Sequence, residues 1–469
     1  MAKISTSRGI VSPVRLALPL ALAAAAALPA CGGGGGSSSG GGSSTSGGST
    51  TGAGGSTSGS TGGSTGGSTG GAAGTTAFPI DHVFIIFKEN HTFDNYFATF
   101  PGADGATRAV RSNGQTIDLQ RPFTDYWYPG GNKRDDALTD YNNGAMDQFD
   151  KGEFVPIIPY VSNGCFITYA PANGQPGGPA NYYWEIAQQG VLCDRFFTSV
   201  MGPSFPNHLF SVAATSANVV TNPNLISKKL QAIDPATGSL VDHPEDFTQS
   251  EIPTTLPNEL DAAGWSWRYY SESASSPIAY LVDYLEDQDL GVDAIEALHY
   301  APHYGQSYIT NVPDLDRNFA SRLAMGDVGN VTWIRPGGLK SEHPGVSSVQ
   351  DGAEWTLSIV NAIGQSPYWD RCAIFITYDD FGGFYDHVAP PQLDAVGLGF
   401  RVPCTIVSPY AKRGFVDHTT YEISSILRFC EANFGLPTMS ARDAASADMT
   451  SAFDFAQPAR PFSDFFFTK

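Results

Sequence analysis

The sequence predicts an α/β fold, an α/β/α sandwich around a mostly parallel central sheet with long loop insertions. Three observations lead there. Short, continuously apolar runs such as residues 81–87 (DHVFIIF) and 373–378 (AIFITY) read as strands buried on both faces, not as half-solvated alternating ones. Helix-start signals fall between such runs, and alternating strands and helices imply parallel strands covered on both sides. The intervening segments 100–180 and 216–325 are rich in Gly, Pro, Asn, Asp and Tyr, and read as long loops and caps that shape access to a site.

Taken in order, residues 81–87 form the first buried strand and residues 191–197 are strand-like. After the turn Met201-Gly202-Pro203, residues 206–214 read as a helix with apolar continuation, and residues 330–334 as a further short strand. Asp351-Gly352-Ala353-Glu354 resembles a capping box that opens an amphipathic helix running to about residue 362. Residues 373–378 and 404–407 are two more buried strands. Thr419-x-x-Glu422 opens a last helix over 421–434, which Gly435 and Pro437 end.

The ends and the composition limit the function. Lys3, Arg8 and Arg15 precede an Ala/Leu run (16–28) too short for a comfortable membrane span, so residues 1–31 read as a lipoprotein-type signal segment. Its end, Leu28-Pro29-Ala30-Cys31, resembles a lipobox with Cys31 as the lipidated residue; Pro29 leaves ordinary cleavage near Ala30 as the alternative. Residues 32–76 are almost pure Gly, Ser and Thr, a disordered linker with a reach of about 35–40 Å. Residues 77–469 then form one catalytic domain, exported and held through the lipid anchor at the outer membrane, facing periplasm or cell surface. The formal net charge is −20, and removing a leader with three basic and no acidic residues takes it to −23. Such a chain does not bind nucleic acid, and it needs local positive charge, most simply a metal, to hold an anionic substrate. Beyond Cys31 the cysteines lack CxxC spacing, which argues against a thiolate metal site. Cys193, Cys372 and Cys404 read as buried thiols, while a disulfide involving Cys165 stays open.

Four segments end apolar stretches in oxygen-bearing or imidazole side chains. In Tyr378-Asp379-Asp380-Phe381-Gly382-Gly383, adjacent carboxylates at a strand end repel each other unless a cation or proton offsets them. Asp386-His387 follows as an acid/base or supporting pair. Glu89-Asn90 ends the first strand and offers a carboxylate and an amide oxygen, ligands for a hard or borderline cation. Ser204 sits in a constrained turn before a helix N-terminus, where backbone N–H groups favour an anion and a metal would activate the hydroxyl. His343, in Ser341-Glu342-His343-Pro344, could donate a proton to a phosphoryl oxygen or leaving group. Each segment also has a plainer reading. Asn90 or Thr92 could cap a helix, Ser204 could be an ordinary N-cap, His343 a solvated loop histidine, and the aspartates a solvated turn.

Taken together, ENHTFDNYF, NNGAMDQF, LCDRFFTSVMGPSFPNHLF, SEHP, TYDDFGGFYDHVAPP and GFRVPCTIVSPYAK resemble, in order from about residue 79 to 437, the bacterial phosphoesterase family of acid phosphatase A and non-specific phospholipases C. That resemblance implies an alkaline-phosphatase-like fold and hydrolysis of phosphate esters through a covalent phospho-enzyme. It implies a divalent metal ion of unspecified identity on Glu89, Asn90, Asp379 and Asp380, with Ser204 as nucleophile and His343, Asp386 and His387 in acid, base or phosphate-contact roles. Asn207 and His208 would meet the substrate, either a small phosphomonoester or a phospholipid head group. Phospholipases C of the family generally carry Thr, Arg and Asp-Glu at the positions of Ser204, His208 and Asp379-Asp380, so this chain looks more like the acid phosphatase branch. A His-Ser pair common upstream of the NGxMD segment is absent; Arg134-Asp135-Asp136 stands nearby, and His299 or His303 could supply the contact instead. Phospholipase C is the alternative reading, and a non-catalytic tethered binding lipoprotein the third.

Overall fold

In the computed structural model, the described residues are 74–122, 129–151, 164–171, 178, 180–223, 229–244, 246–273, 309–313 and 315–465. The leader, Cys31, most of the Gly/Ser/Thr segment, His299 and His303 lie outside them. An eight-stranded sheet organises the fold. Its strands are β1 (His82–Lys88), β2 (Val191–Cys193), β3 (Trp267–Ser273), β4 (Ile309–Pro313), β5 (Val331–Arg335), β6 (Cys372–Tyr378), β7 (Cys404–Val407) and β8 (Phe415–Asp417). Their spatial order is β8-β2-β7-β6-β1-β5-β3-β4. All neighbouring pairs are parallel except the two made by β7, which runs against both β6 and β2. The sheet is therefore mostly parallel, as the doubly buried apolar runs require.

Helices complete the sandwich: α1 (Phe93–Phe97), α2 (Arg134–Tyr141), α3 (Asn181–Gln189), α4 (Ser204–Ala213), α5 (Leu256–Ala262), α6 (Leu315–Ala324), α7 (Val349–Gly364), α8 (Ile423–Phe434) and α9 (Ala441–Ala445). Helix α7 packs on α6 and α3, while α4 packs on α8 and α5. These two groups form the outer layers, and the core between them includes Phe84, Ile86, Trp184, Leu209, Trp333, Ile359, Phe375 and Ile426.

Several local readings shift. Helix α4 begins at Ser204, not at Pro206, because a proline in the first turn gives up an N–H that has no intrahelical acceptor. The cap of α7 is Ser348, whose hydroxyl accepts from the Asp351 N–H at 3.0 Å, so Asp351 lies inside the helix it was expected to start. Helix α8 starts at Ile423 behind a Glu422–Ser425 capping box, and Tyr421–Glu422 is instead a short strand beside Phe196–Phe197. The run 191–197 thus divides between two sheets. Strands β3 and β4 and helices α2, α5 and α6 occupy segments read as loop. Cys165, Cys193, Cys372, Cys404 and Cys430 are all buried and none is in a disulfide, so the one left open for Cys165 is not formed among the described residues. No described helix is long and apolar enough to cross a membrane.

Candidate active site

Strands β1 and β6 lie side by side with Lys88 opposite Tyr378, so the residues that follow the two strands, Glu89-Asn90 and Asp379-Asp380, emerge together at the carboxyl edge of the sheet. This is where open α/β sheets keep their ligands. The Asn90 N–H donates to Asp379 Oδ1 at 2.8 Å, and the Asp380 N–H donates to the same oxygen at 2.7 Å. Asn90 takes a left-handed φ of 59° to make that turn. Gly382 (φ 62°) is needed for close approach, since a Cβ there would collide with the Asn90 carbonyl oxygen.

Helix α4 supplies the third wall. Ser204, at its first turn and buried, donates from Oγ to Asp380 Oδ2 at 3.0 Å. One turn later, His208 Nε2 lies 3.5 Å from Glu89 Oε1 and 3.8 Å from Asp379 Oδ2. Phe87 packs on the His208 ring, which fits the alternation along β1 that puts Phe87 and Glu89 on one face. Arg335, at the end of β5 on the other flank of β1, brings Nε to 3.6 Å from Glu89 Oε1.

The polar atoms pointing inward are unsatisfied. Glu89 Oε1, Asn90 Oδ1, Asp379 Oδ2 and both ring nitrogens of His208 are buried without a hydrogen-bond partner. One ligand atom each from Glu89, His208 and Asp379 falls within 4.8 Å of the others. Orphaned oxygens and an imidazole converging in a buried site fit a divalent cation, and their mixed oxygen and nitrogen character admits Zn, Fe and Mn as well as Mg. The electrostatics agree. Burial pushes Asp379 well above the ordinary carboxylate range, and the neighbouring Glu89 and Asp380 charges push it further. Asp380 is raised to about 7, chiefly by burial, against the Gly382 N–H that favours its charged form. Burial raises Glu89 too, but His208, Arg335 and His343 outweigh it and hold that carboxyl low.

The structure distributes the sequence candidates unevenly. Glu89, Asn90, Ser204, His208, Asp379 and Asp380 form one group, with His208 turned toward the carboxylates. Asn207 is spent bracing the serine turn: its Oδ1 accepts from the Val200 N–H at 2.9 Å and its Nδ2 donates to the Pro203 carbonyl at 3.1 Å. His343 is half-buried, with Nδ1 3.0 Å from the Pro344 carbonyl, and its charge acts on Glu89. Asp386 and His387 belong elsewhere. Arg401 bridges Asp386 Oδ1 (3.1 Å) and Asp94 Oδ1 (3.2 Å), and His387 Nδ1 lies 2.6 Å from Asp94 Oδ2. These carboxylates could also gather a cation, but the guanidinium already sits among them. Among the described residues, no hydrogen bond or ion pair of Asp386 or His387 reaches Ser204 or the Glu89 group.

Two participants escaped the sequence reading. Arg335 ends a strand that was read only for its apolar part. Asn132 donates from Nδ2 to Asp380 Oδ2 at 3.0 Å, the oxygen that also accepts from Ser204. It arrives on the turn Pro129-Gly130-Gly131, whose Gly130 packs against Gly383; that Gly-rich turn is the signal that could have marked it.

The phosphoesterase family profile matches residues 80–437, which contain the whole site. The chain belongs to the phosphoesterase family. It is a hydrolase of phosphoric ester bonds. Phospholipase C B of Mycobacterium tuberculosis is 26% identical to this phosphoesterase over 437 residues, covering 81% of this chain and 79% of its own. The non-hemolytic phospholipase C of Pseudomonas aeruginosa is 26% identical over 446 residues, covering 81% of this chain and 58% of its own. A solved structure of a protein in the alkaline phosphatase superfamily from Vibrio parahaemolyticus shares 11% identity, covering 81% of this chain and 72% of its own, with a TM-score of 0.37.

Proposed function

We propose that this phosphoesterase is exported, depends on a divalent metal, and works through a phospho-serine on Ser204. One observation carries the reading: buried atoms of Glu89, Asn90, His208 and Asp379 that lack a hydrogen-bond partner stand beside a serine hydroxyl already hydrogen-bonded to Asp380. A cation held by Glu89, Asn90, Asp379, Asp380 and His208 would supply the Lewis acidity that a strongly acidic protein needs to bind phosphate and to lower the pKa of a hydroxyl.

The chain's own groups then have defined work. Asp380 orients the Ser204 hydroxyl and receives its proton as the oxygen attacks phosphorus in line. Helix α4 begins at Ser204, so its dipole favours an anion at the same end. Arg335 adds a fixed positive charge on the far side of Glu89. His343, half-buried beside the site, serves as proton donor to the departing alkoxide. The P–O bond to the alcohol breaks as the Ser204–P bond forms, and water then displaces serine, releasing the phosphoryl product.

Phosphomonoesters are the leading substrate class, because Ser204, His208 and Asp380 depart from the phospholipase C pattern together. Phospholipase C action on phospholipids is the second reading, favoured by the names of the relatives. The basic leader and Cys31 support export and lipid anchoring at the outer membrane. The test is turnover of an aryl phosphate against release of phosphocholine from phosphatidylcholine. Ser204→Ala and Asp379→Asn should each lower kcat by about three orders of magnitude or more with the fold intact; full activity in both would overturn the role assignments. Phosphocholine release without monoester turnover would reverse the order of the two substrates.

A further inference from the structure

Three residues of the site follow residues whose side chains turn to the opposite face of the sheet and meet there. Lys88 precedes Glu89, Tyr378 precedes Asp379, and Glu342 precedes His343. Lys88 and Tyr378 are register partners, so they share a face, and the site residues after them share the other. On the first face, Glu342 Oε2 accepts from Tyr96 Oη at 2.6 Å and from Tyr378 Oη at 2.8 Å. Its Oε1 accepts from the Tyr183 hydroxyl and lies 3.0 Å from Lys88 Nζ. The ammonium is completed by the Lys340 carbonyl at 2.7 Å and the Gly352 carbonyl at 3.2 Å, above the Trp355 ring. Glu342, Lys88 and the three tyrosines are all buried.

We infer that Glu342 is a positioning residue whose carboxylate ties Lys88, Tyr96, Tyr183 and Tyr378 into one node, setting the spacing of Glu89, Asp379 and His343 on the opposite face. The inference rests on the metal-dependent phosphoesterase reading of that face.

Stability alone does not account for the node. A buried ion pair is weak evidence for stability, since well-packed apolar side chains of similar volume often do as well. The chain also accepts two local costs around this carboxylate. Glu342 sits at a φ of +74°, a left-handed conformation unusual for a residue with a side chain. Helix α7 carries Gly352 in its interior, where a Cβ would collide with Glu342 Cγ. A saturated set of directional hydrogen bonds specifies one arrangement where an apolar cluster would tolerate several. That arrangement joins the ends of β1 and β6, the loop after β5, and helices α1, α3 and α7. Slippage of one strand end by about 1 Å would spoil the nucleophile-to-phosphorus geometry.

The experiment compares Tyr378→Phe with Tyr421→Phe. The second removes a like bond, Tyr421 Oη to Asp417 Oδ2 at 2.9 Å, beside edge strand β8 and away from the site. Turnover of an aryl phosphate, Mn²⁺ affinity by calorimetry and Tm are measured for both. Tyr378→Phe should lower kcat about tenfold with KM within threefold, and weaken Mn²⁺ binding about tenfold. Tyr421→Phe should lower Tm comparably and leave the other two unchanged. Glu342→Gln should exceed Tyr378→Phe in both losses; if it does not fold, the tyrosine pair still decides. A Tyr378→Phe enzyme within threefold of wild type in kcat and Mn²⁺ affinity overturns the inference, as does equal loss of both in Tyr421→Phe. Ser204→Ala and Asp379→Asn run alongside: if they stay active the phosphoesterase roles fail, and if only Tyr378→Phe stays active the node's role alone fails.

Discussion

Asp380 governs the geometry around the Ser204 hydroxyl. One of its oxygens accepts from both Ser204 and Asn132 at 3.0 Å, and the other accepts from the Gly382 N–H at 2.6 Å. With Asn132 gone, that carboxylate loses the neutral donor that fixes its rotation against the serine. Asn132→Ala should therefore lower kcat about tenfold or more, the rate equivalent of a hydrogen bond to a charged acceptor. Tm should stay within about 2 °C, because the residue is half-exposed, and steady-state kinetics beside a melting curve checks both. Asp379 and Asp380 were legible in the sequence because adjacent carboxylates ending an apolar strand are costly without a cation or proton. Glu89 and Ser204, in segments that also read as ordinary helix caps, stood out only through the resemblance of the segments taken together. Asn132 was not, since an asparagine in a Gly-rich turn is ordinary and its partner lies 248 residues further on. The turn of His208 toward the carboxylates was also hidden, because nothing in PNHLF shows which helix face will meet Glu89.

Continuity of burial decided which elements could be read. Strands β1, β6 and β7 announced themselves because nearly every side chain is apolar. Strand β3 (WRYYSES) did not, because its buried end carries Ser271 and Glu272, which resemble loop chemistry until their partners are seen. Glu272 in fact accepts from the backbone N–H groups of Leu315 and Gly337, tying β3 to α6 and to the loop after β5. The loop carrying Asp386 and His387 is fastened to α1 by Asp94, with Arg401 between the two carboxylates and Asp104 3.2 Å from His387 Nε2. Burial works against a charged His387, but the Asp94 and Asp386 carboxylates outweigh that and Arg401, raising the imidazole to about 9. The unfolded value is about 6.5. Because the folded value is the higher, the latch contributes fully below pH 6.5 and is lost as pH rises through 9. With a quarter of the ring exposed to screening, the loss should be about 1–2 kcal/mol. Urea titrations at pH 6 and pH 9.5 should show it in wild type and not in His387→Gln.

A formal charge of −20 and a convergent set of buried ligand atoms without hydrogen-bond partners should tie the stability of the folded chain to a cation in that site. Chelation by EDTA should lower Tm, and Mn²⁺ at a hundredfold excess over its Kd should restore about 2.7 kcal/mol. That corresponds to a few degrees for a domain this large, readable by calorimetry. The pairing of β1 with β6 has a further consequence, for the order of events in the life of the chain. Asn90 and Asp379 are 289 residues apart, and contacts of that separation close only after the intervening chain is available. A growing polypeptide holds half a site and no more until residues past 380 have emerged. The hydrolase is thus silent throughout synthesis, and its first turnover follows the zipping of its two central strands.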